Sequence, residues 1–78
     1  MSTNYETGTE DLAARLEGGV LTLTMNRPDR RNALTHQMMV ELTALLRWTA
    51  ADEQVRVVVL RGAGKHFCAG LDLQETAA

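Results

Sequence analysis

Apolar and polar residues alternate along Leu12 to Glu17, where Leu12, Ala14 and Leu16 stand against Ala13, Arg15 and Glu17, and alternate again from Val20 to Met25. Two half-buried strands are therefore expected, joined at Gly18-Gly19, because a tight hairpin turn needs backbone angles that glycine adopts freely. Pro28 sets the limit of the second strand. The period changes after Thr35, a good N-cap. From there to about Asp52, Met38, Met39, Leu42, Leu45, Leu46 and Thr49 fall on one face of a helical wheel, with Val40, Ala44, Arg47 and Ala51 opposite. This spacing predicts an amphipathic helix lying on the sheet, its methionines filling core gaps. Trp48, on the flank beside Glu41 and Asp52, suits either the core edge or an interface.

A third pattern follows. Val55, Val57, Val58, Val59 and Leu60 make a nearly continuous apolar run, as expected of a strand buried on both faces of a parallel sheet and ending at Gly62. Gly62-Ala63-Gly64 opens a tight loop, Cys68-Ala69-Gly70 punctuates it, and Leu71 to Glu75 has the spacing of a helix start. The order strand, strand, helix, strand, loop, helix start is that of an α/β fold. Residues 1–10, polar apart from Tyr5, are expected to be a flexible lead, and residues 11–78 a single unit without repeat or linker.

Composition narrows the function classes. The chain has 78 residues and one cysteine, Cys68, so neither an internal disulfide nor a zinc-ligand spacing supports it. Eight basic residues spread among ten acidic ones give a net charge of −2, which argues against nucleic acid as a partner. The opening residues lack the apolar core of a signal peptide, and no apolar run reaches membrane-spanning length. A cytoplasmic protein with no membrane partner is expected.

Candidate chemistry is sparse. Arg27, Arg30 and Arg31 cluster around Pro28, either as a solvated loop or as a set of planar donors for a phosphorylated ligand. Gly62-Ala63-Gly64 opens like a dinucleotide-binding fingerprint, but the third glycine should stand where Phe67 does. A phosphate loop fails too, with Val59 and His66 at its two ends. Cys68 reads as a small buried side chain rather than a nucleophile, and His36 and His66 are too isolated to suggest a metal. Asp72, in the first turn of a helix, is better placed to cap N–H groups than to act as a base. What remains is backbone chemistry: N–H groups near Gly70 and Leu71, leaving a loop of small residues, are suited to an oxygen on which negative charge develops.

Asn26-Arg27-Pro28, Asn32-Ala33-Leu34, Val58-Val59-Leu60, Gly62, Gly64, Phe67-Cys68-Ala69-Gly70 and Asp72-Leu73, in that order, resemble the N-terminal part of the crotonase, or enoyl-CoA hydratase/isomerase, superfamily. The resemblance implies a spiral of ββα units and an enzyme of lyase or isomerase type, linked to fatty acid metabolism. Such an enzyme binds an acyl-CoA thioester and stabilises an enolate-type oxyanion with two peptide N–H groups. It implies that the Leu71 N–H is one of these donors, and that Arg27, Arg30, Arg31, Ala33, Phe67, Ala69, Gly70 and Asp72 contact substrate. No cofactor is implied, since coenzyme A is part of the substrate. None of the acids here matches the family's general acid and base, so this chain alone is expected to be incomplete and inactive. Its expected protein partner is a second copy, in a homo-oligomer, or a complementing C-terminal fragment. The alternative is a non-catalytic CoA-binding or assembly module.

Overall fold

The computed structural model describes residues 2–76. Leu12–Glu17 (β2) and Val20–Met25 (β3) form the expected hairpin, with Glu17 opposite Val20 across the two glycines. Gly18 and Gly19 have φ of 58° and 82°, so a side chain at either would be strained. The alternation read from the sequence is the alternation of burial. Leu12, Ala14 and Leu16 of β2 and Leu21, Leu23 and Met25 of β3 are buried, whereas the residues between them face outward or are half-covered.

Helix α1, His36–Ala50, begins where Thr35 accepts a hydrogen bond from the Met38 N–H (3.1 Å). It lies across the hairpin. Met38 and Leu45 are buried, and Thr49 is too because its hydroxyl donates to the Leu45 carbonyl (2.7 Å). Two of the six residues assigned to the buried face, Met39 and Leu46, are each 42% exposed. Leu45 and the half-buried Leu42 pack against the cluster of β2 and β3 residues, and Met39 and Leu46 fall outside it. Trp48 is exposed, with its ring edge-on to Tyr5 at a centroid distance of 5.0 Å.

The sheet has the order β1 (Ser2–Tyr5), β2, β3, β4 (Val57–Gly62). Strand β4, Val57–Gly62, runs parallel to β3 after the α1 crossover, with Val58 beside Leu21 and Leu60 beside Leu23. Parallel pairing is as expected, but burial on both faces is not. Val57, Val58, Val59 and Leu60 are 53, 43, 40 and 41% exposed, because α1 sits over the hairpin and no described strand pairs with the outer edge of β4. Val55 lies outside the strand, half-buried against the core cluster.

Residues 1–10, read from composition as a flexible lead, contribute an element. Ser2–Tyr5 forms β1, an edge strand antiparallel to β2. Polarity did not prevent this, because an edge strand needs its backbone bonds and little burial, and Tyr5 anchors it to the core. The buried Thr7 hydroxyl donates to the Leu12 and Thr9 carbonyls and closes the connection to β2.

Candidate functional site

The site is built where two loops meet, residues 26–35 after β3 and residues 63–72 after β4. Parallel pairing of β3 and β4 brings their carboxyl ends side by side, the usual ligand-binding edge of an α/β sheet. A 3₁₀ turn at Pro28–Arg30 reverses the first loop, and Arg31 and Asn32 follow with φ of 53° and 57°. Asparagine is among the few residues that tolerate this region. Here the conformation turns the Asn32 side chain inward, where it is fully buried. Its oxygen accepts from the Arg27 N–H (2.8 Å), while its amide donates to the carbonyls of Ala63 (2.9 Å) and His66 (2.7 Å). One side chain therefore fastens the first loop to the second. Gly62 is needed beside it, since a Cβ there would come closer than 3.0 Å to the carbonyl oxygens of His66 and Phe67 and to the Asn32 amide.

Farther along, the loops pair as backbone. Ala69 N–H donates to the Arg31 carbonyl (3.0 Å), Leu34 N–H to the Gly70 carbonyl (2.8 Å) and Asp72 N–H to the Leu34 carbonyl (2.9 Å). Leu34 and Leu71 thus form an isolated parallel bridge. The peptide between Gly70 and Leu71 is trans, so its C=O and N–H point in opposite directions. With the carbonyl held by Leu34, the Leu71 N–H leaves the bridge on the far side. Among the described residues no acceptor takes it. Gly70, with φ of 98°, makes the bend, and its own N–H is directed at the Cys68 sulfur (3.4 Å). Leu71 and Leu34 also line an open pocket of about 300 Å³ with His36, Met39 and Glu75, the last accepting from the His36 N–H.

Helix α2, Leu73–Thr76, starts two residues later than the pattern suggested, because Leu71 is held in the bridge and Asp72 caps the helix. One carboxylate oxygen of Asp72 accepts from the N–H groups of Gln74 (3.0 Å) and Glu75 (3.2 Å). The other pairs with Arg27 at 3.0 Å, both side chains being about 15% exposed. The Glu75 N–H and the Arg27 guanidinium hold the Asp72 carboxyl below the usual carboxylate range.

Of the residues singled out from the sequence, the structure brings Arg27, Ala33, Gly70, Leu71 and Asp72 together. Arg27 is committed inward, to Asp72 and to the Ala33 carbonyl (2.6 Å), rather than presented to solvent. Arg30 and Arg31 are exposed, Arg30 reaching Gln74 at 3.1 Å. Ala69 is exposed beside them, and Phe67 lies outside the bridge, 58% exposed. Asn32 is the participant that reading by residue type passed over, although a αL-tolerant residue just after an Arg-Pro turn is a usable signal for it. No group of three metal-ligating side chains occurs among the described residues.

Two loops cross-linked by a buried asparagine, with the Leu71 N–H unclaimed among the described residues beyond a small-residue bend, can be compared with known proteins. The family model for enoyl-CoA hydratase/isomerase matches residues 15–78. The chain belongs to the enoyl-CoA hydratase/isomerase family. It is 41% identical over 66 residues to 1,2-epoxyphenylacetyl-CoA isomerase of Escherichia coli (strain K12), covering 85% of this chain and 25% of that protein. It is 48% identical over 56 residues to mevalonyl-coenzyme A hydratase SIDH of Beauveria bassiana, covering 72% of this chain and 20% of that protein. The crystal structure of enoyl-CoA hydratase from Mycobacterium tuberculosis H37Rv superimposes with a TM-score of 0.84 at 43% identity, over 88% of this chain and 31% of that one. The hairpin, crossover helix and parallel strand are therefore the crotonase-like arrangement expected from the sequence. The chain spans about a quarter of the length of the curated relatives it matches. Those two relatives are named for different reactions, so membership of the family does not select one.

Proposed function

We propose that this chain supplies one wall of an acyl-CoA site, with the Leu71 N–H donating to the thioester oxygen as negative charge builds on it. The observation that carries this reading is the uncommitted Leu71 N–H, directed out of the Leu34–Leu71 bridge by the hydrogen bond on the opposite side of the same peptide. A donor fixed before the reaction costs no reorganisation when the oxyanion forms. Polarising the carbonyl in this way assists hydration, isomerisation or a related step of fatty acid metabolism. Arg30 and Arg31, exposed on the same loop, are suited to the CoA phosphates, while Ala33, Phe67, Ala69 and Gly70 offer backbone and apolar contacts along the pantetheine and acyl path. Arg27 and Asp72, paired with each other, support this wall from behind.

An oxyanion hole uses a second donor, and losing one of two typically costs about 10²–10³ in rate. Turnover is therefore a property of a protein that completes the site, whether with a second copy or a complementing C-terminal fragment. Calorimetric titration of the chain with crotonyl-CoA, and with CoA alone, tests the reading. Tighter binding of the thioester is expected, and no heat at millimolar ligand would remove the site from this chain. A second reading, a non-catalytic CoA-binding or assembly module, is favoured by the uncovered apolar strand β4. Crotonyl-CoA hydration that appears only when a C-terminal fragment of a relative is added speaks for the enzyme, whereas association without activity speaks for the module.

A further inference from the structure

We infer that Arg27 and Asp72 are positioning residues that clamp the Leu34–Leu71 bridge and so aim the Leu71 N–H, an assignment that rests on Leu71 being the oxyanion donor. The geometry is specific. One guanidinium nitrogen of Arg27 donates to the Ala33 carbonyl (2.6 Å) and the other meets Asp72 at 3.0 Å. Ala33 immediately precedes Leu34 and Asp72 immediately follows Leu71, so a single planar fork spans the two strands of the bridge. Between these points lie, among the described residues, two backbone hydrogen bonds, from Leu34 N–H to Gly70 and from Asp72 N–H to Leu34. An isolated bridge has no ladder to enforce its register. Without the fork, rotation of the Gly70–Leu71 peptide would swing the N–H away from its target.

Division of labour within Asp72 supports the assignment. One oxygen caps α2 and the other takes Arg27, so the carboxylate fixes both where α2 begins and how Leu71 enters it. The pair is about 15% exposed, which shields it from the solvent screening that weakens surface ion pairs. Its role also explains why an arginine stands at position 27. Lysine, a point charge, cannot bond Ala33 and Asp72 as one rigid fork.

Arg27→Lys and Asp72→Asn test the clamp in the full chain, the second variant retaining the capping oxygen if the first folds poorly. Amide hydrogen exchange is read without ligand. The Leu34 N–H is expected to exchange about tenfold faster in each variant and no faster still in the double variant, while the Leu21 and Leu23 amides keep their wild-type rates. Wild-type exchange at Leu34 in both variants overturns the clamp, as does equal acceleration at Leu34, Leu21 and Leu23, which marks general destabilisation. Crotonyl-CoA then separates the clamp from the reading beneath it. A Leu71 cross-peak that moves in wild type, and moves less in the variants at unchanged affinity for CoA alone, supports positioning. A Leu71 cross-peak that does not move in saturated wild type overturns Leu71 as donor and with it the aiming role, whereas the Leu34 rates decide the clamp by themselves.

Discussion

Replacing Asn32 with alanine should cost more stability than its position in a surface loop suggests. The side chain is fully buried and makes three hydrogen bonds, to Arg27, Ala63 and His66. At about 1 kcal/mol net each, their loss amounts to about 3 kcal/mol. Alanine at a φ of 57° adds about 1 kcal/mol that asparagine largely avoids. A domain of 78 residues has a stability on the order of 4–12 kcal/mol, so Asn32→Ala should remove a third of it or more. Urea unfolding followed by far-ultraviolet circular dichroism and by Trp48 fluorescence measures the loss. Asn32→Gly relieves the backbone but not the hydrogen bonds and should lose about 3 kcal/mol. Asn32→Asp keeps the acceptor for Arg27 but turns a carboxylate toward two carbonyl oxygens, and should be the least stable of the three. A loss below about 1 kcal/mol in Asn32→Ala would refute the view that this side chain holds the two loops together.

Gly62→Ala should be as damaging, about 3 kcal/mol or more in the same assay, since the new Cβ meets backbone carbonyls that cannot move aside, whereas Gly70→Ala, with open space but a φ of 98°, should lose only about 1–2 kcal/mol. Leu23→Ala, at a fully buried position of β3, should cost about 2–5 kcal/mol by the same measurement. The Asp72 carboxyl is held lower in the folded chain than the ordinary 3.8, so its stabilising effect is complete above that value and is lost as pH falls below it and through the lower folded value. Acid unfolding of Asp72→Asn should lack that component, and the Asp72 side-chain carbon signal should titrate below the ordinary carboxylate range. Trp48→Ala should free β1, seen as faster exchange of the Thr3 and Tyr5 amides with α1 unchanged, because the edge-on contact at 5.0 Å is the aromatic tie from α1 to that strand.

The hairpin, the start of α1 and the parallel β4 were legible because each depends on local signals: alternation, two glycines, a threonine cap and a β-branched run. Strand β1 was not, since what orders it is pairing with β2 and the contact of Tyr5 with Trp48, neither of which marks its composition. Exposure of Val57 to Leu60 was illegible for a related reason. Apolar character states what a strand prefers to contact and not whether a neighbour is there. Within the candidate site, the bend at Gly70 and Leu71 was legible from its small residues, but Arg27 reads as an anion ligand because its partner, Asp72, lies far along the chain. Charge clustering reads alike whether the guanidinium faces a phosphate or a carboxylate. The buried Asn32 carries no charge and breaks no pattern, and only the approach of the second loop reveals its three partners.

The Leu71 N–H can be removed by a single-atom exchange. Ligation at Cys68 joins residues 1–67 to a synthetic segment in which the Gly70–Leu71 amide is an ester, which deletes the donor and retains the side chain. Crotonyl-CoA labelled with carbon-13 at the thioester carbonyl then reports the polarisation directly. A downfield shift of that carbon on binding to the native chain, absent or much reduced with the ester chain, is the predicted result. The same shift with both chains, or none with either at saturation, would contradict the account.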